Sequence, residues 1–405
     1  MAMWGLLAAT AAGVGGVAAC DAGGDKTSNL IGAGASGVGG GTTTTTTNTS
    51  STTGLGGGFD PGGGGNNGGT VCDSPGGNAD YDGDGYSQAQ GDCNDCDPNV
   101  NPGAIEVVEA GAGGSPPADE NCNNVVDEPF APCDSGFAIG DTDATHAAQA
   151  LDICATVAAD HFGLVSAQWV RANGGGAAPG ANVGLLDGFG QNMPPRLGSR
   201  MVGISSGYAR DAGDAGNCGG ISCSVSGAGT APAGFPQDVP GCSGGTNIND
   251  DVGLEVTLKA PTNATGFGYD FTFYSFEYPE WVCTTFNDQY IALVSPPPAG
   301  SVNGNISFDS QTNPVSVNIA FFNVCAGCPL GTADLAGTGF DQWDDAGATG
   351  WLQSQAPIGG GDQFTIRFAI WDTGDTAWDS TALLDNFRWI ANGGTVSVGT
   401  IPVPQ

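Results

Sequence analysis

The sequence predicts a mainly β protein: an antiparallel β-sandwich, jelly-roll-like, with a short helical segment, preceded by a small loop module and a disordered linker. Three observations carry this. First, apolar and polar positions alternate with the period of two that a half-buried strand requires. Val315, Val317, Ile319 and Phe321 alternate with Ser316, Asn318 and Ala320, and Phe364, Ile366, Phe368 and Ile370 with Thr365, Arg367, Ala369 and Trp371. Second, residues 271–276, FTFYSF, place aromatics on both faces, as a central strand does. Third, Gly, Pro and Asn separate these runs, and 72 glycines assign much of the chain to turn and linker.

The 405 residues carry 42 acidic side chains against 8 Lys and Arg, a net charge of −34. Nucleic-acid partners need basic surface, so this balance excludes them and suits a protein that lives among divalent cations. There are 13 cysteines. With one set aside as a lipid acceptor the remainder is even, as disulfides in an oxidising compartment require.

Residues 1–19 are small and apolar and end in Val17-Ala18-Ala19-Cys20. They resemble a bacterial lipoprotein signal peptide, although the n-region has no Lys or Arg. A transmembrane helix is the competing reading, but the run is short and glycine-rich. The resemblance implies that acylated Cys20 tethers the mature chain to a membrane of the cell envelope, at the outer membrane or cell surface of a Gram-negative bacterium. Residues 20–70 are Gly, Thr, Ser and Asn with almost nothing to bury, so they form a disordered tether. About 50 such residues span roughly 40 Å as a coil.

Residues 71–132 form the loop module. In DYDGDGYSQAQGDCNDCD, residues 80–97, Asp80, Asp82 and Asp84 stand at alternate positions before Gly85. This is how a chain wraps hard oxygen ligands around Ca²⁺, with glycine at the sharp turn and the backbone carbonyl of Tyr86 next. Gly91 occupies the place of the usual closing glutamate, so Asp92, Asp95 and Asp97 complete a loop that is not a standard EF-hand. A solvated acidic turn is the alternative. Asp119, Asn121 and Asn123 repeat the spacing, with Asn124 at the left-handed position and Asp127 and Glu128 to close. The pattern DxDGDGY, GDC, DPxxxPGAxE and NC…VDE over residues 80–128 resembles the MopE-type metal-binding motif of bacterial surface proteins, which implies Ca²⁺ as the ion. The chain departs from that motif in a Gly-rich insert at 107–117 and in the extra Cys96. Cys72, Cys93, Cys96 and Cys122 admit three pairings. A zinc site is the competing reading, but no histidine lies near.

Residues 133–392 form the large domain, and 393–405 a tail. An Ala-rich helical stretch is expected over 145–159, with Cys154 a partner for Cys133. Cys218, Cys223 and Cys242 are expected to staple the loop 211–250; Cys283, Cys325 and Cys328 complete the disulfide candidates, the last two a structural pair. Residues 271–294, Gly350-Trp351-Leu352, 368–375, Asp379-Ser380 and 383–387 resemble, in that order, the choice-of-anchor L domain. That resemblance implies surface display of an extracellular bacterial domain and supplies no activity.

Several residues invite chemistry. Gly203-Ile204-Ser205-Ser206-Gly207 fits a nucleophile elbow, but both histidines lie upstream, so a turn is expected. Asp385 is expected to share a strand face with Leu383, Phe387 and Trp389, where a carboxylate needs a partner. Asp372, Asp375 and Asp379 complete a second cation site with it, unless backbone hydrogen bonds satisfy it instead. Taken together, these features lead us to expect a lipid-tethered, calcium-binding surface protein without catalysis. Its head would bind a glycan or other cell-surface ligand, with Trp281, Trp343, Trp351 and Trp378 as stacking platforms. The alternative is a secreted glycan hydrolase using Glu277, Glu280 or Asp385.

Overall fold

The structure, a computed structural model, describes residues 77–107 and 118–403 except 320, 344, 392 and 393. The lipid acceptor Cys20, the 20–70 tether and Cys72 lie outside the described residues. Two short helices, α1 (Ala144–Ala150) and α2 (Val157–Asp160), precede the strands. These are β1 (Gly163–Val170), β2 (Val183–Leu186), β3 (Met201–Ser205), β4 (Ile248–Lys259), β5 (Gly266–Ser275) and β6 (Gln289–Ser295). There follow β7 (Val315–Ser316), β8 (Gly347–Ala348), β9 (Leu352–Pro357), β10 (Gln363–Thr373), β11 (Ser380–Ile390) and β12 (Gly399–Pro402). They build two antiparallel sheets, β1-β4-β10-β6-β7 and β12-β9-β5-β11-β3-β2, with β8 paired to β5.

Period two decides which side chains meet between the sheets. Val252, Leu254, Val256 and Leu258 of β4 share one core with Phe267, Tyr269, Phe271 and Phe273 of β5. Rings cross the interface: Tyr269 meets Phe368 edge-on at 5.0 Å and Phe271 lies 4.9 Å from Tyr290. Each such buried ring contributes roughly 2–3 kcal/mol. Strand β5 is buried on its other face too, where Tyr274 packs against Phe189 and Phe340 of covering loops. The FTFYSF segment therefore closes a central strand, as its double-faced aromatics predict.

Three local expectations fail for physical reasons. The helix stops at Ala150 because Asp152 takes a left-handed φ of 68°, and helical turns resume only at Val157. The run 315–321 is a strand only at Val315–Ser316; beyond it Ile319 N–H bonds Ser316 C=O in a turn. Val317 and Ile319 are buried all the same, so alternation there marks burial without a ladder. In β11 the register slips between Asp385 and Arg388, where Asn386 has φ 54°. That bulge flips the alternation: Leu384 and Phe387 face the inter-sheet core and Leu383 the outer one. Asp385 does not share a face with Phe387.

The loop module is docked on the sandwich. Thr262 N–H donates to Gly103 C=O at 2.9 Å and its hydroxyl to Asn101 Oδ1 at 2.8 Å. Gly103 is required there, since a Cβ would meet both the Tyr86 hydroxyl and Thr262.

Candidate metal centre

Asp80 opens the first loop and spends both oxygens on the backbone it encloses. Oδ1 accepts Gly83 N–H at 2.7 Å and Oδ2 accepts Gly85 N–H at 3.0 Å. Asp82 and Asp84 each accept the N–H two residues on, at 3.2 and 2.7 Å. These Asx turns coil the chain so that alternate carboxylates face inward, and the positive φ of Gly83 and Gly85 permits it. The second oxygens are left over: Oδ2 of Asp82, Asp84, Asp92 and Asp95 are all buried and accept no hydrogen bond.

Oxygens of Asp80, Asp82 and Asp95 lie within 4.8 Å of one another, and so do those of Asp82, Asp84 and Asp92. Ligands on opposite sides of a Ca²⁺ ion stand roughly 4.6–5.2 Å apart, so this convergence suits the ion. Burial pushes the Asp82 carboxyl up to about 6, with Asp84, Asp92 and Asp80 adding to it, and raises Asp84 and Asp92 in the same way. A cation would relieve that repulsion. Asp97 stands outside both groups and caps Asn99 N–H at 3.1 Å.

The second clip has the expected backbone and a different set of carboxylates. Asp119 accepts the N–H groups of Asn123 and Asn124 at 3.0 and 2.7 Å, and Asn124 has φ 70°. Asn121 and Asn123, however, turn their amides to Glu128, and their oxygens accept Asn123 and Val125 N–H. The converging trio is Glu106, Glu120 and Asp127. Burial raises both glutamates. Neither was among the expected ligands, although Glu106 ends the DPxxxPGAxE segment and Glu120 sits inside the clip. Cys93 is bonded to Cys122 and ties the two clips together; Cys96 is also disulfide-bonded.

In the large domain Cys133 pairs with Cys154, Cys218 with Cys223 and Cys325 with Cys328. Cys242 reaches outside the loop it was expected to staple and pairs with Cys283, because Cys218 and Cys223 close on each other. Asp372 and Asp379 neighbour each other and Asp250, Asp288 and Glu277; Asp375 lies near enough to Glu277 to raise it, and Asp385 is not among them. The Asp375 carboxylate caps Ala377 N–H. Asp385 lies five residues along β11 from Ser380, about 17 Å away, and accepts Arg196 N–H. Glu277 is buried at the Ser380 end, while Glu280 is exposed. Asp385 therefore lies apart from Glu277. The expected turn at 203–207 is the end of β3, and both serine hydroxyls bond Ser380 C=O, so neither stands free as a nucleophile.

Residues 202–387, from β3 to β11, match the family model of the choice-of-anchor L domain. Over these residues the chain is similar to choice-of-anchor L domains. No curated protein and no solved structure matches the chain. A choice-of-anchor domain points to a protein of the cell surface. Among the described residues no helix is long and apolar enough to cross a membrane.

The large domain also carries an open cavity of about 270 Å³. Tyr208, Arg210, Phe276, Phe340, Trp343 and Asp379 line it. Of the four tryptophans, Trp343 is exposed; Trp281 and Trp378 pack against each other with tilted rings at 5.1 Å, and Trp351 is buried beneath Arg196.

Proposed function

We propose that this chain is a lipid-anchored, calcium-binding surface protein of a Gram-negative cell envelope, whose β head binds a ligand outside the cell and catalyses no reaction. The observation that carries the calcium is the set of buried, partnerless oxygens of Asp82, Asp84, Asp92 and Asp95. Dense carboxylates whose inner oxygens lack donors repel one another unless a cation sits among them. Ca²⁺ outside the cell would stiffen the module and so fix the head on its tether. The cavity beside Trp343 supports a glycan ligand, since an exposed indole beside polar groups stacks on a sugar face and orients its hydroxyls.

Two experiments test this reading. Cys20→Ala should release the protein from the membrane fraction; unchanged membrane association removes the lipid anchor. Glycan binding, if Trp343 is its platform, should fall in Trp343→Ala with the fold intact. Unaltered binding moves the ligand site elsewhere on the head.

A further inference from the structure

Five acidic side chains meet at the end of the sandwich where β4, β10 and β11 approach the start of β6 and the end of β5. Glu277 neighbours Asp288, Asp288 neighbours Asp372, Asp372 neighbours Asp379, and Asp379 neighbours Asp250. All five are at most 4 % exposed. None takes part in an ion pair among the described residues, although Asp251 next to them is paired with Arg171 at 2.6 Å.

The hydrogen bonds leave a pattern. One side of the cluster is satisfied: Asp250 Oδ1 accepts the N–H groups of Val225, Ser226 and Gly227, and Asp379 Oδ2 accepts Cys223 N–H at 2.8 Å. Asp288 accepts Thr373 N–H and the Ser380 hydroxyl. The other side is bare. Both oxygens of Asp372, Oδ2 of Asp250, Oδ1 of Asp379 and the neighbouring Thr373 hydroxyl are buried without a partner. The Ser206 hydroxyl beside Asp372 is committed to the Ser380 backbone. A Cβ at Gly207 would overlap the Asp379 carboxylate, so a glycine is what admits that acid to the cluster.

Buried carboxylates must be paired, protonated or bound to metal. Asp250 and Asp379 each combine an outer oxygen fixed by backbone N–H groups with a partnerless inner one, the arrangement of a cation's ligands, and Asp372 adds two partnerless oxygens. We propose that Asp250, Asp372 and Asp379 hold one hard divalent cation of the calcium class, with the Thr373 hydroxyl as a neutral ligand and Asp288 and Glu277 flanking it. No three of these carboxylates converge within 4.8 Å as those of the loop module do. The side chains close on the ion, and Ca²⁺ completes its six to eight oxygens from neutral donors and water. This site is separate from the loop module and stands or falls independently of it.

Tb³⁺ serves as the probe, because its luminescence is sensitised by nearby indoles. Trp371 and Trp378 adjoin Asp372 and Asp379, whereas residues 71–132 contain no tryptophan. With tryptophan-selective excitation the full chain should light up with Tb³⁺, Ca²⁺ should quench the signal, and Asp82→Asn/Asp84→Asn should leave it intact. Asp372→Asn should weaken this binding at least about tenfold. Asp379→Asn, whose amide oxygen can still accept Cys223 N–H, repeats the test if Asp372→Asn fails to fold. In the loop-module double variant, Ca²⁺ should still raise the melting temperature. Absence of a tryptophan-sensitised signal, or a signal lost in Asp82→Asn/Asp84→Asn and kept in both head variants, overturns the site. If both head variants fail to fold, the double variant decides: no calcium-dependent melting shift overturns the proposal.

Discussion

Asn263 holds Ile105 as a strand partner would: its Oδ1 accepts Ile105 N–H at 3.1 Å and its Nδ2 donates to Ile105 C=O at 2.8 Å. One side chain thus satisfies both backbone groups of a residue in the loop module and fixes the module to the head. Asn263 is itself buried. In Asn263→Ala both groups of Ile105 lose their partner, at a cost of about 1–3 kcal/mol. Hydrogen exchange should rise across residues 77–107 while the sheets stay protected. Equal protection in both proteins would mean that the Thr262 contacts suffice.

A thread of hydroxyls crosses the core from Tyr290 through Tyr269, Ser307 and Ser354 to Thr400. Tyr269→Phe keeps the ring but breaks the thread, taking the acceptor from the buried Tyr290 hydroxyl and leaving Ser307 with Ser354 alone. The urea midpoint should fall by the equivalent of about 1–3 kcal/mol with an unchanged slope. A change below a few tenths would show that the neighbouring hydroxyls re-pair among themselves.

Burial raises both carboxyls of the facing pair Asp152 and Asp385; Asp152 raises Asp385 further, whereas the hydrogen bond to Asp385 lowers Asp152, and Asp134 raises it. A carboxyl raised on folding holds its proton more tightly in the native state than in the unfolded one. Its contribution is therefore complete below the unfolded value of about pH 4 and lost as pH rises towards the folded value near 9. Asp385→Asn imitates the protonated acid. It should be more stable than the parent at pH 8, by a margin that shrinks towards pH 4. A pH-independent difference would contradict a carboxyl raised on folding at Asp385.

The fold was legible because alternation and doubly aromatic strands report burial directly. The lapses came where burial and hydrogen bonding part company. Val317 and Ile319 alternate and are buried, yet the backbone turns between them. Asp385 is an acid that needs partners, but five residues of β11 separate it from Ser380 and the Asp372 end, and it faces Asp152 instead. The converging carboxylates of the first loop were readable from spacing because they are local. Asp250 and Asp288 come from distant strands, and only the β4-β10-β6 register brings them to Asp372. Glu106 sits between the clips, so spacing within either clip passed over it.

Reduction of Cys93–Cys122 should loosen the tie between the clips. The bond closes a loop over a sequence separation of 29, for which roughly 3–4 kcal/mol is expected. Cys93→Ser/Cys122→Ser should weaken calcium binding at the first loop and leave the melting of the sheets unchanged. Unaltered affinity would show that the Asx turns alone hold the ligands.

Calorimetric titration of the full chain with Ca²⁺, beside Asp82→Asn/Asp84→Asn, tests the calcium-binding surface protein most directly. Binding at about 10⁻⁴–10⁻³ M or tighter is expected, with the component belonging to the first loop lost in the double variant. At ten times its dissociation constant the ion would add about 1.4 kcal/mol to the module. Absence of heat at millimolar Ca²⁺, or identical isotherms for the two proteins, would contradict calcium binding at Asp80–Asp95 and leave the module held by its disulfides and its contacts with Thr262 and Asn263.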